Sequence, residues 1–307
     1  MIELAAAFAV AGAASNAVGT AFQRKAASVS RHSGLRLLAE LVRQPAWLLG
    51  MAGVIGAAVC QSLALVNGPL ALVQPLFILE LPFALLAMGW IMHRHLPAYG
   101  WWGVAAVVAG LAVLLVAAAP HGATDQAALV RWIPAVILCV GAIAAAVVLA
   151  RHGHSPARRA ALLAAGSAIA NALTAALLKS ATGTFADHGF QAFLRSWQTY
   201  GFALAGAGAV LLLENALQAG PLAAAQPALT IGDAVVSLVL GVTLFGETIR
   251  TGWWLVPEAC GAAAIVVGVL ILSRAVQNLI ERPPGGTLSK SRPARSDQGR
   301  RTGDDSR

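Results

Sequence analysis

The chain has 307 residues, of which 58% are hydrophobic and 11% charged, against about 45–50% and 25% in an ordinary soluble domain, so a soluble globular protein is excluded. A formal net charge of +8 would point to nucleic acid in a soluble chain; here it has no meaning until each charge is placed relative to a bilayer. Cys60, Cys139 and Cys260 stand singly in apolar runs, a pattern that supports neither a disulfide framework nor a metal site.

A helix of about 20 apolar residues crosses ~30 Å of hydrocarbon. Nine stretches meet that length: residues 2–23, 46–66, 70–92, 100–119, 132–150, 160–179, 199–218, 222–245 and 253–273. The first has no basic residues before it and Arg24 and Lys25 after it, so it reads as a retained helix instead of a cleaved signal. The loop 24–45 carries Leu35, Leu38, Leu41 and Val42 at helical spacing among Arg31, Arg36 and Arg43, which predicts a segment lying along the inner leaflet. Proline, glycine, charge or tryptophan bounds each later stretch. All eight tryptophans (Trp47, Trp90, Trp101, Trp102, Trp132, Trp197, Trp253 and Trp254) fall near predicted helix ends, where an aromatic belt sits. From Pro283 onward the chain is almost devoid of apolar residues, and it is read as a disordered basic tail.

Lys and Arg fix the orientation. Segments after the first, third, fifth, seventh and ninth helices hold 17 basic residues; the opposite side holds Arg131, Lys179, Arg195 and Arg250. The positive-inside rule then places the N-terminus outside and the C-terminus in the cytoplasm, in a multi-pass protein of the plasma (inner) membrane. The basic isoelectric point is an orientation signal, and nucleic acid is not expected as a partner. A homodimer is compatible with the sequence.

The chain also repeats itself. Gly68-Pro69-Leu70-Ala71 and Gln74-Pro75 recur as Gly220-Pro221-Leu222-Ala223 and Gln226-Pro227, a shift of 152 that also carries Gly89 to Gly241 and Gly100-Trp101-Trp102 to Gly252-Trp253-Trp254. Asn16-Ala17 before Arg24 matches Asn171-Ala172 before Lys179 at a shift of 155. The expected fold is therefore an all-α membrane protein with an inverted repeat. Residues 1–119 form a first four-helix unit and 120–159 a linking fifth helix. Residues 160–275 form the inverted second unit of helices six to nine, and 276–307 the tail. Such repeats mark secondary transporters, in which two halves rock about a central site.

Four carboxylates fall inside the predicted spans: Glu80, Glu214, Asp233 and Glu258. Charge at bilayer depth is costly and usually faces a cavity or a partner. Glu80 and Asp233 sit about halfway along their helices, and the repeat maps Glu80 one residue from Asp233. Gln74, Gln226, Asn16 and Asn171 add amides from matched helices, which completes an oxygen-rich candidate site for a cation at the midplane. Each amide alone reads equally well as an interhelical hydrogen bond. Glu214 and Glu258 lie near helix ends and are read as gate or vestibule residues. Pro75, Pro82 and Pro227 break helices near the same level. Gly50, Gly53 and Gly56, with Gly201, Gly206 and Gly208, are read as close helix contacts. His93, His95, His152 and His154 are read as interfacial anchors. Motifs for ATP binding or hydrolase chemistry are absent, so neither an enzyme nor a resident cofactor is expected.

The run Ala71-Leu72-Val73-Gln74-Pro75, the long helix that follows, the aromatic pair and Gly110-Leu111-Ala112-Val113-Leu114 resemble the paired helices of the drug/metabolite transporter superfamily. In the second half, Leu244-Phe245-Gly246-Glu247-Thr248 is similar to that superfamily's Gly-Glu turn, where the first half has Arg94-His95. Nine helices with an outside N-terminus look most like the NIPA branch of magnesium transporters. Asn16 to Lys25 and Arg151-His152-Gly153 add to that likeness. Small multidrug resistance relatives carry a proton-coupling glutamate before a Gly-Thr pair, whereas here Asn16 precedes Gly19-Thr20. The resemblance thus implies a carrier without that coupling acid. The expected function is secondary transport of a cation or small cationic solute by alternating access, with Mg2+ suggested by the resemblance alone. The alternatives are export of an organic metabolite or drug, and a non-transporting scaffold or lipid-handling protein. Aromatic residues on the cavity wall would favour an organic substrate, and oxygen ligands alone a metal ion.

Overall fold

A computed structural model describes residues 2–29, 44–91, 97–122, 124, 126–153, 155–250 and 252–281. The amphipathic loop segment 30–43, the tail beyond residue 281, and His93, His95 and His154 lie outside the described residues.

The described chain is helical, and its helices follow the apolar runs. They are α1 (Ile2–Val29), α2 (Pro45–Asn67), α3 (Leu70–Leu76), α4 (Glu80–Ile91), α5 (Ala98–Ala118), α6 (Leu129–Arg151), α7 (Pro156–Arg195), α8 (Trp197–Ala219), α9 (Leu222–Phe245) and α10 (Leu255–Glu281). A 3-10 turn, Phe77–Leu79, joins α3 to α4, and another, Gly252–Trp254, leads into α10. Counting α3 and α4 as one crossing, nine helices among the described residues are long and apolar enough to span a membrane. The chain is a multi-pass membrane protein.

Two departures from the expected helices have local causes. The third crossing is not one continuous helix: Pro75 and Pro82 each remove a backbone donor, and the 3-10 turn between them ends at Glu80. Pro227 leaves α9 unbroken. The sixth crossing does not stop at Lys179. It runs on to Arg195, with a break at Gly189, whose φ of 78° only glycine adopts readily.

Small residues set the packing, as expected where lipid offers helices no hydrophobic drive to associate. On α1 every fourth residue from Ala5 to Ala21 (Ala5, Ala9, Ala13, Ala17 and Ala21) is a buried alanine, and on α7 Ala160, Ala164, Ala168, Ala172 and Ala176 repeat the stripe. The most extensive contacts are α1 with α2, α7 with α8, α5 with α10 and α9 with α7. Ser15 on α1 donates to the Gly53 carbonyl of α2 at 2.8 Å, and Ser167 on α7 to the Ala209 carbonyl of α8 at 2.8 Å. α6 packs along α7.

Two glycine contacts bring backbones together. A Cβ on Gly53 would lie 2.8 Å from the Gly19 Cα, and one on Gly110 would lie 2.7 Å from the Gly261 carbonyl oxygen. The α5–α10 crossing, through Gly103, Gly110, Gly261 and Gly268, did not stand out in the sequence. Gly208, expected at a close contact, has nothing within 4 Å of such a Cβ. Gly110→Val is therefore expected to destabilise the protein by about 1–3 kcal/mol through overpacking, and Gly208→Ala to be neutral or stabilising. Thermal unfolding in detergent measures both.

Trp132 does not belong to an aromatic belt. It is 1% exposed and packs edge-on against Trp197 and Phe245, with ring centroids 5.3 and 6.3 Å away. Trp90, Trp101, Trp102, Trp253 and Trp254 are exposed on the outer surface, as a belt requires.

Candidate functional site

A cavity of about 980 Å³ lies between α1, α2, α3–α4, α7, α8, α9 and α10. Asn16, Gln74, Glu80, Asn171, Gln226 and Asp233, the six residues of the sequence-based candidate site, all line it, and so does Glu214. Glu258 does not; it sits in the first turn of α10, near the opposite end of the molecule from Glu214. His152 accounts for its own ring by contacting the Val148 carbonyl at 2.9 Å.

Local structure explains how the residues converge. Asn16 lies on α1 beside the buried Ala13–Ala17 stripe and Asn171 lies on α7 beside Ala168–Ala172, so the small-residue contacts that seat each helix also turn its amide inward. The 3-10 turn places Glu80 at the start of α4. Asn171 Nδ2 donates to Asp233 Oδ2 at 3.2 Å, and the Ser237 hydroxyl lies 3.5 Å from Oδ1, one turn along α9. Gln74 is buried, and its Nε2 has no hydrogen-bond partner among the described residues. Gln23, Gln61 and Thr230 add polar groups to the wall, while Trp47 and Phe77 add aromatic ones. No Lys, Arg or His lines the cavity among the described residues. Nor do three or more His, Cys, Asp or Glu side chains gather at one point among the described residues.

The cavity is one-sided. Its lining runs from the midpoints of the helices toward a single end, through Gln23, Trp47, Met88, Leu217 and Ser273. Toward the other end the path is filled by Leu65, Leu70, Val73, Leu244 and Phe245, all fully buried.

That filled end holds a polar cluster that the sequence reading missed. Lys179 on α7 is 1% exposed and Glu247, two residues beyond α9, is 2% exposed. Both grip the corner between α2 and α3. The Lys179 ammonium donates to the Gly68 carbonyl at 2.6 Å and the Leu65 carbonyl at 3.3 Å, and it lies 5.3 Å from the centre of the Phe245 ring. Glu247 accepts from the Leu70 N–H through Oε1 at 2.6 Å and from the Ala71 N–H through Oε2 at 2.8 Å. Its Oε1 lies 3.8 Å from Lys179 Nζ. The cation thus meets carbonyls at the end of α2 and the anion meets free N–H groups at the start of α3, as helix polarity favours. Burial pushes the Glu247 carboxyl above its usual range; the two N–H donors and Lys179 oppose that shift.

Gly246 makes this reach possible. It ends α9 in the left-handed region at φ 64°, and the Glu247 N–H turns back to the Gly241 carbonyl at 3.1 Å, a glycine-dependent helix stop. A Cβ on Gly241 would run into the Glu247 carboxylate. Gly241→Ala is therefore expected to displace that carboxylate and lower the thermal midpoint by several degrees, whereas glycine-to-alanine at the unobstructed Gly208 is not. Two residues that follow α5 meet the same end: His121 and Thr248 exchange backbone hydrogen bonds at 2.9 and 3.1 Å, and the Thr124 N–H reaches the Phe245 carbonyl at 3.0 Å. Lys179, which its place at the end of an apolar run puts among the outer-side cations, is instead in the interior.

Among known proteins, the chain is 27% identical over 276 residues to an uncharacterized protein of Corynebacterium glutamicum, an alignment that covers 88% of this chain and 95% of that one. No family model and no solved structure matches the chain.

Proposed function

We propose that the protein is a secondary transporter of the drug/metabolite type that carries a small organic cation by alternating access. The observation that carries this reading is the cavity itself: Asp233 and Glu214 enter one space of about 980 Å³ together with Glu80 and the amides of Asn16, Gln74, Asn171 and Gln226, an acidic and polar lining that attracts a cationic solute. Trp47 and Phe77 on its wall suit an organic cation, which aromatic faces attract. The volume of the cavity favours such a solute over Mg2+. The sealed opposite end fits a carrier held open to one side.

An inverted repeat of helices one to four and six to nine, with the fifth linking them, is supported by three observations. Matched alanine stripes lie on α1 and α7, matched pairs α1–α2 and α7–α8 form, and α5 meets α10 through glycines. We assign the protein to the plasma (inner) membrane with the N-terminus outside, because 17 of its 21 basic residues then lie in the cytoplasm. The cavity would then open to the cytoplasm.

Purified protein in proteoliposomes tests this reading with guanidinium, tetramethylammonium, a short diamine and Mg2+. Saturable uptake of an organic cation is the expected result. Uptake of Mg2+ alone would move the assignment to a metal carrier, and binding of none of them would refute a cation site.

A further inference from the structure

The geometry points to a latch: the Lys179–Glu247 pair holds the cavity shut at the end that carries Gly68 and Gly246 by gripping the α2–α3 corner, and release of that corner is the step that opens the cavity to that side. The inference rests on reading the cavity as a transport site.

Three observations carry it. First, the pair lies across the filled end. The cavity wall reaches Gln74 on α3, and Leu70 and Ala71, the residues held by Glu247, are one turn beyond it. Second, the pair joins parts that alternating access must separate. Lys179 and Glu247 belong to α7 and the end of α9, while the backbone groups they bond lie between Leu65 and Ala71, in the α2–α3 corner. The four backbone hydrogen bonds therefore cross between the two sets of helices, while the ion pair and the Phe245 ring contact hold the two gripping side chains in place on one side. Third, its chemistry suits two states. Carbonyls at the end of α2 and N–H groups at the start of α3 need partners when dry, and water can replace those partners once the end opens. An ion pair loses most of its strength on hydration, so the closed arrangement is strong only while shut. A permanent seal would be at least as stable if built from apolar side chains, since buried ion pairs add little over well-packed hydrophobic replacements. A charged pair at the seal of an otherwise apolar plug is better explained by a contact that forms and breaks.

The test uses the full chain in membrane vesicles, with Cys60, Cys139 and Cys260 replaced and a single cysteine at Thr230→Cys on the cavity wall. A membrane-impermeant thiol reagent is applied from each face in turn. With the latch intact, labelling is expected from the cavity-mouth face only. Glu247→Gln or Lys179→Met is expected to raise the rate from the latch face at least tenfold. Glu247→Gln is nearly isosteric and keeps a carbonyl oxygen for the Leu70 N–H, so it reports even if Lys179→Met fails to fold; monodispersity and thermal unfolding identify folded samples. An unchanged latch-face rate in a folded variant overturns the latch. Binding of guanidinium or tetramethylammonium is measured on the same proteins. Cation binding without a labelling shift removes the latch and keeps the transport reading. A labelling shift without binding of either cation supports the latch and removes the cation site.

Discussion

Asp233→Asn is expected to weaken binding of a monovalent organic cation by about 10- to 100-fold, because a hydrogen bond to a charged group contributes about 1.5–3 kcal/mol and each 1.4 kcal/mol is tenfold in affinity. The substitution preserves shape. Asn171 keeps a neighbour at the 3.2 Å contact and Ser237 keeps its place one turn away; what is lost is the negative charge facing the cavity. Because a carboxylate in a membrane interior is costly to the fold, the neutral variant should unfold at the same temperature or higher. Lost binding together with unchanged or improved stability is the signature of a functional charge. Glu80→Gln, at the start of α4 on the cavity wall, is also expected to weaken binding of the cation. Asn171→Ala removes a donor that orients Asp233 but leaves its charge in place, so a smaller loss of about 3- to 10-fold is expected. Isothermal titration with guanidinium or tetramethylammonium measures all three. If Asp233→Asn and Glu80→Gln both bound these cations like the parent, the carboxylates would have no part in recognition.

Much of this arrangement could be read from residues alone, because in a bilayer each backbone polar group must be satisfied within its own segment, so an apolar run of sufficient length is already a helix. Nine runs gave nine crossings among the described residues. The candidate site was legible for the same reason: Glu80, Asp233, Gln74, Gln226, Asn16 and Asn171 are the polar side chains that hydrocarbon would reject, and one cavity collects them. What stayed hidden depends on pairing in space. Lys179 ends an apolar run and so resembled a loop cation; only the carbonyls of Leu65 and Gly68 and the carboxylate of Glu247, distant in sequence, make its burial tolerable. Trp132 likewise resembled its exposed counterparts, and its burial follows from Trp197 and Phe245 closing over it. The glycine crossing of α5 and α10 was missed because one glycine in a helix says nothing about its partner on another. The Gly246-Glu247 pair was visible as a motif. Its reason, a left-handed turn that aims a carboxylate at the start of α3, lies in a contact between residues 176 and 177 positions apart.

The largest stability effect is expected at Lys179. Lys179→Met removes the cation from a fully buried cluster and leaves Glu247 with two N–H donors and no counter-charge, a situation that costs about 3–5 kcal/mol. It also leaves the Gly68 and Leu65 carbonyls, now held at 2.6 and 3.3 Å, without their donor. Methionine fills similar volume against Phe245, so packing loss is small and the effect is chiefly electrostatic. Glu247→Gln should cost less, about 1–3 kcal/mol: its amide oxygen can still accept from Leu70, and Lys179 keeps two carbonyls and the face of the Phe245 ring. Because each single change strands the other charge, the penalties should not add. The double variant Lys179→Met/Glu247→Gln should be less destabilised than the sum of the singles by about 0.5–3 kcal/mol, as read from unfolding midpoints in detergent. Additive penalties would mean that the two side chains hold the α2–α3 corner independently. A sub-additive result would show that the corner is held by one coupled pair, as a closed end that opens by losing both grips together requires.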